Sequence, residues 1–216
     1  MESLLGIKIE TIGFILQTLG SLLLLGGYAP QIIKLHRTKI PTGISLLFWT
    51  MVGIGCTAIN VNMIISNAPF EVILTQSLNM IGAWYTLFLV MYCRKLHGMP
   101  IKINKTIGLI ASFLAGTMVY QIQVLPMAQV GIMFQTIGTV ALLTAYIPQI
   151  VYLHKVKDAT GISRWLFIVI ASGLLMVTVN MIISKVNIEI IITEFVNIAL
   201  ILVQYVLTVY YQNKKK

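Results

Sequence analysis

Glu194 is the residue whose setting has the clearest chemical consequence. It lies five positions beyond Glu189, roughly 7.5 Å deeper along a helix, with apolar Ile190–Ile192 between the two acids. A carboxylate held inside an apolar run is costly and marks a functional site. Asn197 follows three residues later on the same helix face, and Gln76 and Asn79 repeat the pattern in the first half of the chain. Each half thus presents an acid or amide followed by an asparagine, and only the second carries an ionisable group. That asymmetry suits a substrate ammonium or a transferable proton. The plainer alternatives are a glutamate wetted at a membrane interface, and asparagines that hydrogen-bond between helices.

Further polar residues recur at the same offset. Asn62 matches Asn180 and Gln17 matches Gln135; they read as further contributors to a substrate pocket, as an outer gate, or as interhelical pairs. Pro30 and Pro148 each follow a tyrosine by two positions, Tyr28 and Tyr146, and precede a glutamine, Gln31 and Gln149. A proline inside a helix removes one backbone hydrogen bond and clashes with the carbonyl four residues earlier, here that of Gly26 or Thr144. The expectation is a kink in both helices, its freed carbonyl satisfied by a cavity or by Gln31 and Gln149. Present in both halves beside a glutamine, the kink reads as a hinge, with Tyr28 and Tyr146 at an inner gate. His36 and His154 sit where they would cap helix C-termini rather than bind metal. There is no Ser/His/Asp cluster, no metal-ligand spacing and no glycine-rich phosphate loop after a strand, so the reading is no enzyme, no cofactor and no metal.

These residues are positioned by an internal duplication. Tyr28-Ala29-Pro30-Gln31-Ile32 returns as Tyr146-Ile147-Pro148-Gln149-Ile150, and between Tyr28–Ser66 and Tyr146–Ser184 18 of 39 positions are identical without a gap. The identities include Thr42-Gly43-Ile44-Ser45 with Thr160-Gly161-Ile162-Ser163, and Val61 to Ser66 with Val179 to Ser184. The unit is apolar, so the duplication predicts a membrane protein built from repeats rather than a soluble solenoid.

Composition agrees: of 216 residues 58% are hydrophobic and 10% charged, with mean hydropathy +0.92. Soluble domains carry roughly 25% charged residues. Seven spans are expected, at 11–34, 43–66, 70–93, 104–122, 127–153, 161–184 and 188–211, each long enough for a hydrocarbon core of about 30 Å. The net charge of +9 is spread in short clusters between spans, which argues for topology rather than nucleic-acid binding. With the N-terminus outside, 13 of the 15 Lys and Arg fall on the inner side, giving N-out and C-in. Cys56 and Cys93 lie in apolar runs and read as packing residues. No cleavable signal is evident at the N-terminus, and the short basic tail suits a bacterial plasma membrane.

The repeat offset sets spans 1–3 on spans 5–7 and leaves span 4 over. A three-helix unit is odd-numbered, so one extra helix is needed for a second copy to enter the membrane the same way up. The predicted architecture is all-α: a three-helix bundle at 11–93, a linker helix at 104–122 and a second bundle at 127–211. Gly108, Ser112 and Gly116 suit close packing of the linker.

Two Tyr-x-Pro-Gln motifs, each closing a first helix and followed by a basic loop and Thr-Gly-Ile-Ser, resemble the PQ-loop superfamily, which includes SWEET and SemiSWEET sugar transporters and cystinosin-like amino-acid transporters. The resemblance spans essentially the whole chain in the 3+1+3 layout and implies alternating-access transport of a small polar solute across a lipid bilayer. In the sugar-carrying branches it further implies a Trp and an Asn from each repeat. On this chain those positions fall near Ala58 and Met176, and near Thr75 or Gln76 and Thr193 or Glu194. None is a Trp or an Asn, which turns the reading toward an amino acid or amine, with proton coupling through Glu194; SWEET-type sugar uniport and a non-transporting receptor or scaffold are the alternatives. Association into a homo-oligomer is left open.

Overall fold

The computed structural model describes residues 3–4, 7–68, 70–101, 126–185 and 188–214. A minimal antiparallel ribbon, β1 (Ser3–Leu4) with β2 (Ile7–Lys8), opens the described chain. Helices and short loops follow: α1 (Ile9–Gly26), α2 (Ala29–Thr38), α3 (Leu46–Ile65), α4 (Phe70–Leu96), α5 (Met127–Val156), α6 (Arg164–Ile183) and α7 (Ile188–Asn213). Six stretches are long and apolar enough to cross a membrane, with α1 and α2 counted together as Thr11–Thr38. The chain is therefore a multi-pass membrane protein. The predicted linker span 104–122, with Gly108, Ser112 and Gly116, lies outside the described residues.

The helices close into a ring. α4 packs on α1, α2 and α3; α3 packs on α5, α5 on α7, α7 on α6, and α6 returns to α1. The broadest faces are α3 on α5 and α1 on α6, and both join one repeat to the other. Glycines make these faces close. A Cβ on Gly20 would stand 2.9 Å from Gly173 O, and one on Gly138 3.0 Å from Gly55 O. Backbone meets backbone at each crossing, so no side chain can rotate away to make room. Gly20→Val or Gly138→Val is expected to cost about 1–3 kcal/mol by overpacking, seen as a lower melting temperature in detergent; wild-type melting in both variants would show the crossings to be loose.

The two prolines are not equivalent, contrary to the expectation of matched kinks. α1 ends at Gly26 and Pro30 falls in the first turn of α2, where its missing N–H has no intrahelical bond to lose. Pro148 lies inside the unbroken α5. The neighbouring residues account for the difference. Gly26-Gly27 weakens the helix before Pro30, whereas Thr144-Ala145 continues it, and Thr144 Oγ1 donates back to Val140 O at 2.6 Å.

The loops after α2 and α5 are built alike. Each helix ends on a left-handed lysine, Lys39 (φ 57°) or Lys157 (φ 54°), whose N–H returns to Leu35 O or Leu153 O, the αL form of C-cap. Ser45 and Ser163 then open α3 and α6 from extended backbone, and Ser45 Oγ accepts from Phe48 N–H at 3.2 Å.

Candidate functional site

A cavity of about 230 Å³ occupies the interior of the ring. α4 and α7 both run toward the end that carries the Pro-Gln motifs and most of the basic residues, here the basic end. Gln76, Asn79, Glu194 and Asn197, near the starts of these helices, form the part of the cavity farther from that end. Phe48 and Trp49, in the first turn of α3, form its floor with Tyr28, Tyr146 and Phe167. The rings interlock: centroids are 5.8 Å apart for Tyr28–Trp49, 5.2 Å for Phe48–Trp49 and 5.9 Å for Phe48–Tyr146.

The polar residues form two unlike sets. On the second repeat, Tyr146 Oη donates to Asn197 Oδ1 at 2.9 Å, and Glu194 lies three residues before Asn197 on the same helix. On the first repeat, Gln76 Nε2 donates to Cys56 O at 3.2 Å, and Tyr28 Oη pairs with Cys56 Sγ at 3.7 Å. Among the described residues that line the cavity two buried oxygens have no partner, Asn79 Oδ1 and Glu194 Oε2, and farther along α7 Gln204 Oε1 and Thr208 Oγ1 have none either. Unpaired buried acceptors are rare in folded proteins and call for an explanation, such as a ligand.

Below the floor the two repeats clasp each other. Gln31, 1% exposed, donates from Nε2 to Gly161 O at 2.9 Å and accepts Ser163 N–H at Oε1 at 2.7 Å. Gln149, 2% exposed, donates to Gly43 O at 2.7 Å and accepts Ser45 N–H at 2.9 Å. Each glutamine thus binds the Thr-Gly-Ile-Ser turn of the other repeat, and neither is turned back to the carbonyl of Gly26 or Thr144, one of the two partners expected for that group. The turns also touch directly, Gly161 N–H donating to Thr42 O at 3.0 Å. Gly43 needs its glycine twice over: its φ is +83°, and a Cβ there would collide with Asp158 O. Charged and amide groups brace the clasp. Lys34 Nζ donates to Ile162 O at 2.6 Å and Arg94 Nη2 to Ile44 O at 2.7 Å, while Gln212 Nε2 donates to Ala159 O and Ile162 O, each at 2.8 Å.

The other expected pocket residues are used differently. Asn62 Nδ2 donates to Gln135 Oε1 at 2.9 Å, and Asn180 Nδ2 to Gln17 Oε1 at 3.0 Å. These are cross-repeat ties on the α3–α5 and α1–α6 faces, and none of the four lines the cavity. Gly131 and Gly13 admit them, since a Cβ would lie 2.9 Å from Asn62 Oδ1 and 2.6 Å from Asn180 Oδ1. Ala58 and Met176 do not line the cavity either. The sequence reading missed Phe48, Trp49 and Phe167, because an aromatic ring in an apolar helix looks the same whether it faces lipid or lumen. His154 Nδ1 meets Ile150 O at 3.0 Å, a C-terminal turn contact as expected, while His36 instead bridges to Tyr85 Oη at 2.8 Å.

Fold and site together define a helical membrane protein whose two repeat-related halves enclose a largely apolar cavity with a polar patch and are tied at one end through backbone turns. The PQ loop repeat family matches at residues 12–72 and again at 130–190. These cover more than half of the chain, which belongs to the PQ-loop family, and that membership indicates a transporter-type function. No curated protein matches the chain.

Proposed function

We propose that the protein is a secondary transporter that moves a small polar solute, an amino acid or amine, by alternating access. The observation that carries this reading is the cavity holding Gln76, Asn79, Glu194 and Asn197 between two halves whose basic end is shut by reciprocal glutamines. The excess of Lys and Arg makes the basic end cytoplasmic and the N-terminus external, so the clasp is the inner gate. Span 104–122 joins the halves in a 3+1+3 layout. Release to the cytoplasm requires the Gly43 and Gly161 turns to leave Gln149 and Gln31, with the break before Pro30 and the helix around Pro148 taking up the movement. Glu194 offers a charge for the solute's ammonium and a proton-binding group for coupling.

The test is uptake into proteoliposomes, with and without an inward proton gradient, across labelled amino acids, amines and sugars. Accumulation of an amine or amino acid that depends on the gradient is the expected result. A sugar that equilibrates equally well at every pH would replace it with sugar uniport. Uptake no faster than in empty liposomes for every solute would turn the reading to a membrane receptor or scaffold.

A further inference from the structure

Two of the donors around the cavity are committed within the protein: Gln76 Nε2 to Cys56 O and Tyr146 Oη to Asn197 Oδ1. The acceptors Asn79 Oδ1 and Glu194 Oε2 are left over. They belong to α4 and α7, which stand opposite each other in the ring. A ligand that completes this cavity must bring hydrogen-bond donors to it.

Positive groups to receive an anion are missing from the same wall. Among the described residues that line the cavity there is no Lys, Arg or His. At the start of α2 Pro30 has no N–H, and those of Gln31 and Ile32 both bond Tyr28 O, at 3.1 and 3.0 Å. A ligand carboxylate would thus be desolvated beside Glu194 with no cationic side chain to pair with. Much of the rest of the lining is aliphatic or aromatic, including Leu24, Val52, Ile59 and Leu142, and the floor offers ring faces that attract cations.

We infer that the cavity takes an organic cation without a carboxylate, an ammonium on a small apolar body, which rests on the cavity being the solute site proposed above. A zwitterionic amino acid satisfies the acceptors but leaves its carboxylate unmet. A neutral sugar can donate to both oxygens but supplies no counter-charge to Glu194.

The test compares amine and amino-acid pairs that differ by one carboxylate: phenethylamine against phenylalanine, and cadaverine against lysine, with glucose as a neutral probe. Binding is read as thermal stabilisation of the purified full chain in detergent. Each amine is expected to stabilise at a concentration at least tenfold below that needed by its amino acid, glucose is expected to give no shift, and Glu194→Gln is expected to abolish the amine's effect. Asn79→Leu gives the same readout if Glu194→Gln is not recovered folded. An amino acid that binds as tightly as its amine, an equal response to glucose, or no response to any probe overturns the inference. Uptake separates it from the transport reading. An amine that binds but never crosses removes transport and leaves the cation site, whereas preferential uptake of the amino acid removes the cation site and leaves transport.

Discussion

Gln149→Ala opens the basic end of the molecule while leaving the ring of helices assembled; this is the expected result, and Gln31→Ala should match it. Each glutamine makes two buried hydrogen bonds to the opposite repeat, so truncation leaves one carbonyl and one N–H unpaired. At about 1–3 kcal/mol for each orphaned group, the clasped arrangement loses roughly 2–6 kcal/mol, or roughly 30- to 20,000-fold in the ratio of closed to open forms. Cys56 lines the cavity above the clasp and is 5% exposed, which makes it a built-in reporter. In a Cys93→Ser background, a charged thiol reagent applied at the basic face should label Cys56 at least tenfold faster in either variant. The double variant should gain less than the sum of the two, because the turns also touch through Gly161 and Thr42. Unchanged labelling combined with a lower melting temperature would mean that the clasp supports the fold without gating the cavity.

Glu194→Gln should lower solute uptake by about 10- to 150-fold, the equivalent of one charge-assisted hydrogen bond of about 1.5–3 kcal/mol. It should also erase the response to a proton gradient. Glutamine keeps the shape and a donor-acceptor pair, so the hydrogen bond between Tyr146 and Asn197 can persist and melting should stay near that of wild type. The comparison therefore isolates charge. A variant that transports at the wild-type rate, with the wild-type response to the gradient, would reduce Glu194 to a residue of the outer vestibule.

Much of this molecule could be read before any coordinates. The 118-residue offset located every matched pair, and depth along an apolar run was enough to pick out Glu194 and Asn197, which do line the cavity beside Gln76 and Asn79. What stayed hidden has physical causes. The clasp joins a side chain to a backbone turn about 130 residues away, and backbone acceptors have no sequence signature. Asn62 and Gln135 are ordinary amides, and nothing local tells a lumenal amide from one paired across a helix face. The glycine crossings could have been found: Gly13, Gly20 and Gly55 recur at Gly131, Gly138 and Gly173, a repetition that signals close backbone approach as clearly as the proline motif signals a bend. The break in the first helix was legible only in part, since Gly26-Gly27 and Thr144-Ala145 differ while the prolines do not.

That break gives the two halves unequal mechanical compliance. α1 and α2 meet at a joint of a few residues, where rotation strains few backbone hydrogen bonds. α5 is one rod of 30 residues with Pro148 inside it, and flexing there must stretch the bonds on either side of the proline. In the proposed transport cycle the first repeat is therefore the arm expected to swing and the second the arm expected to resist and return, so that two glycines in one of two duplicated arms would set a hinge against a spring.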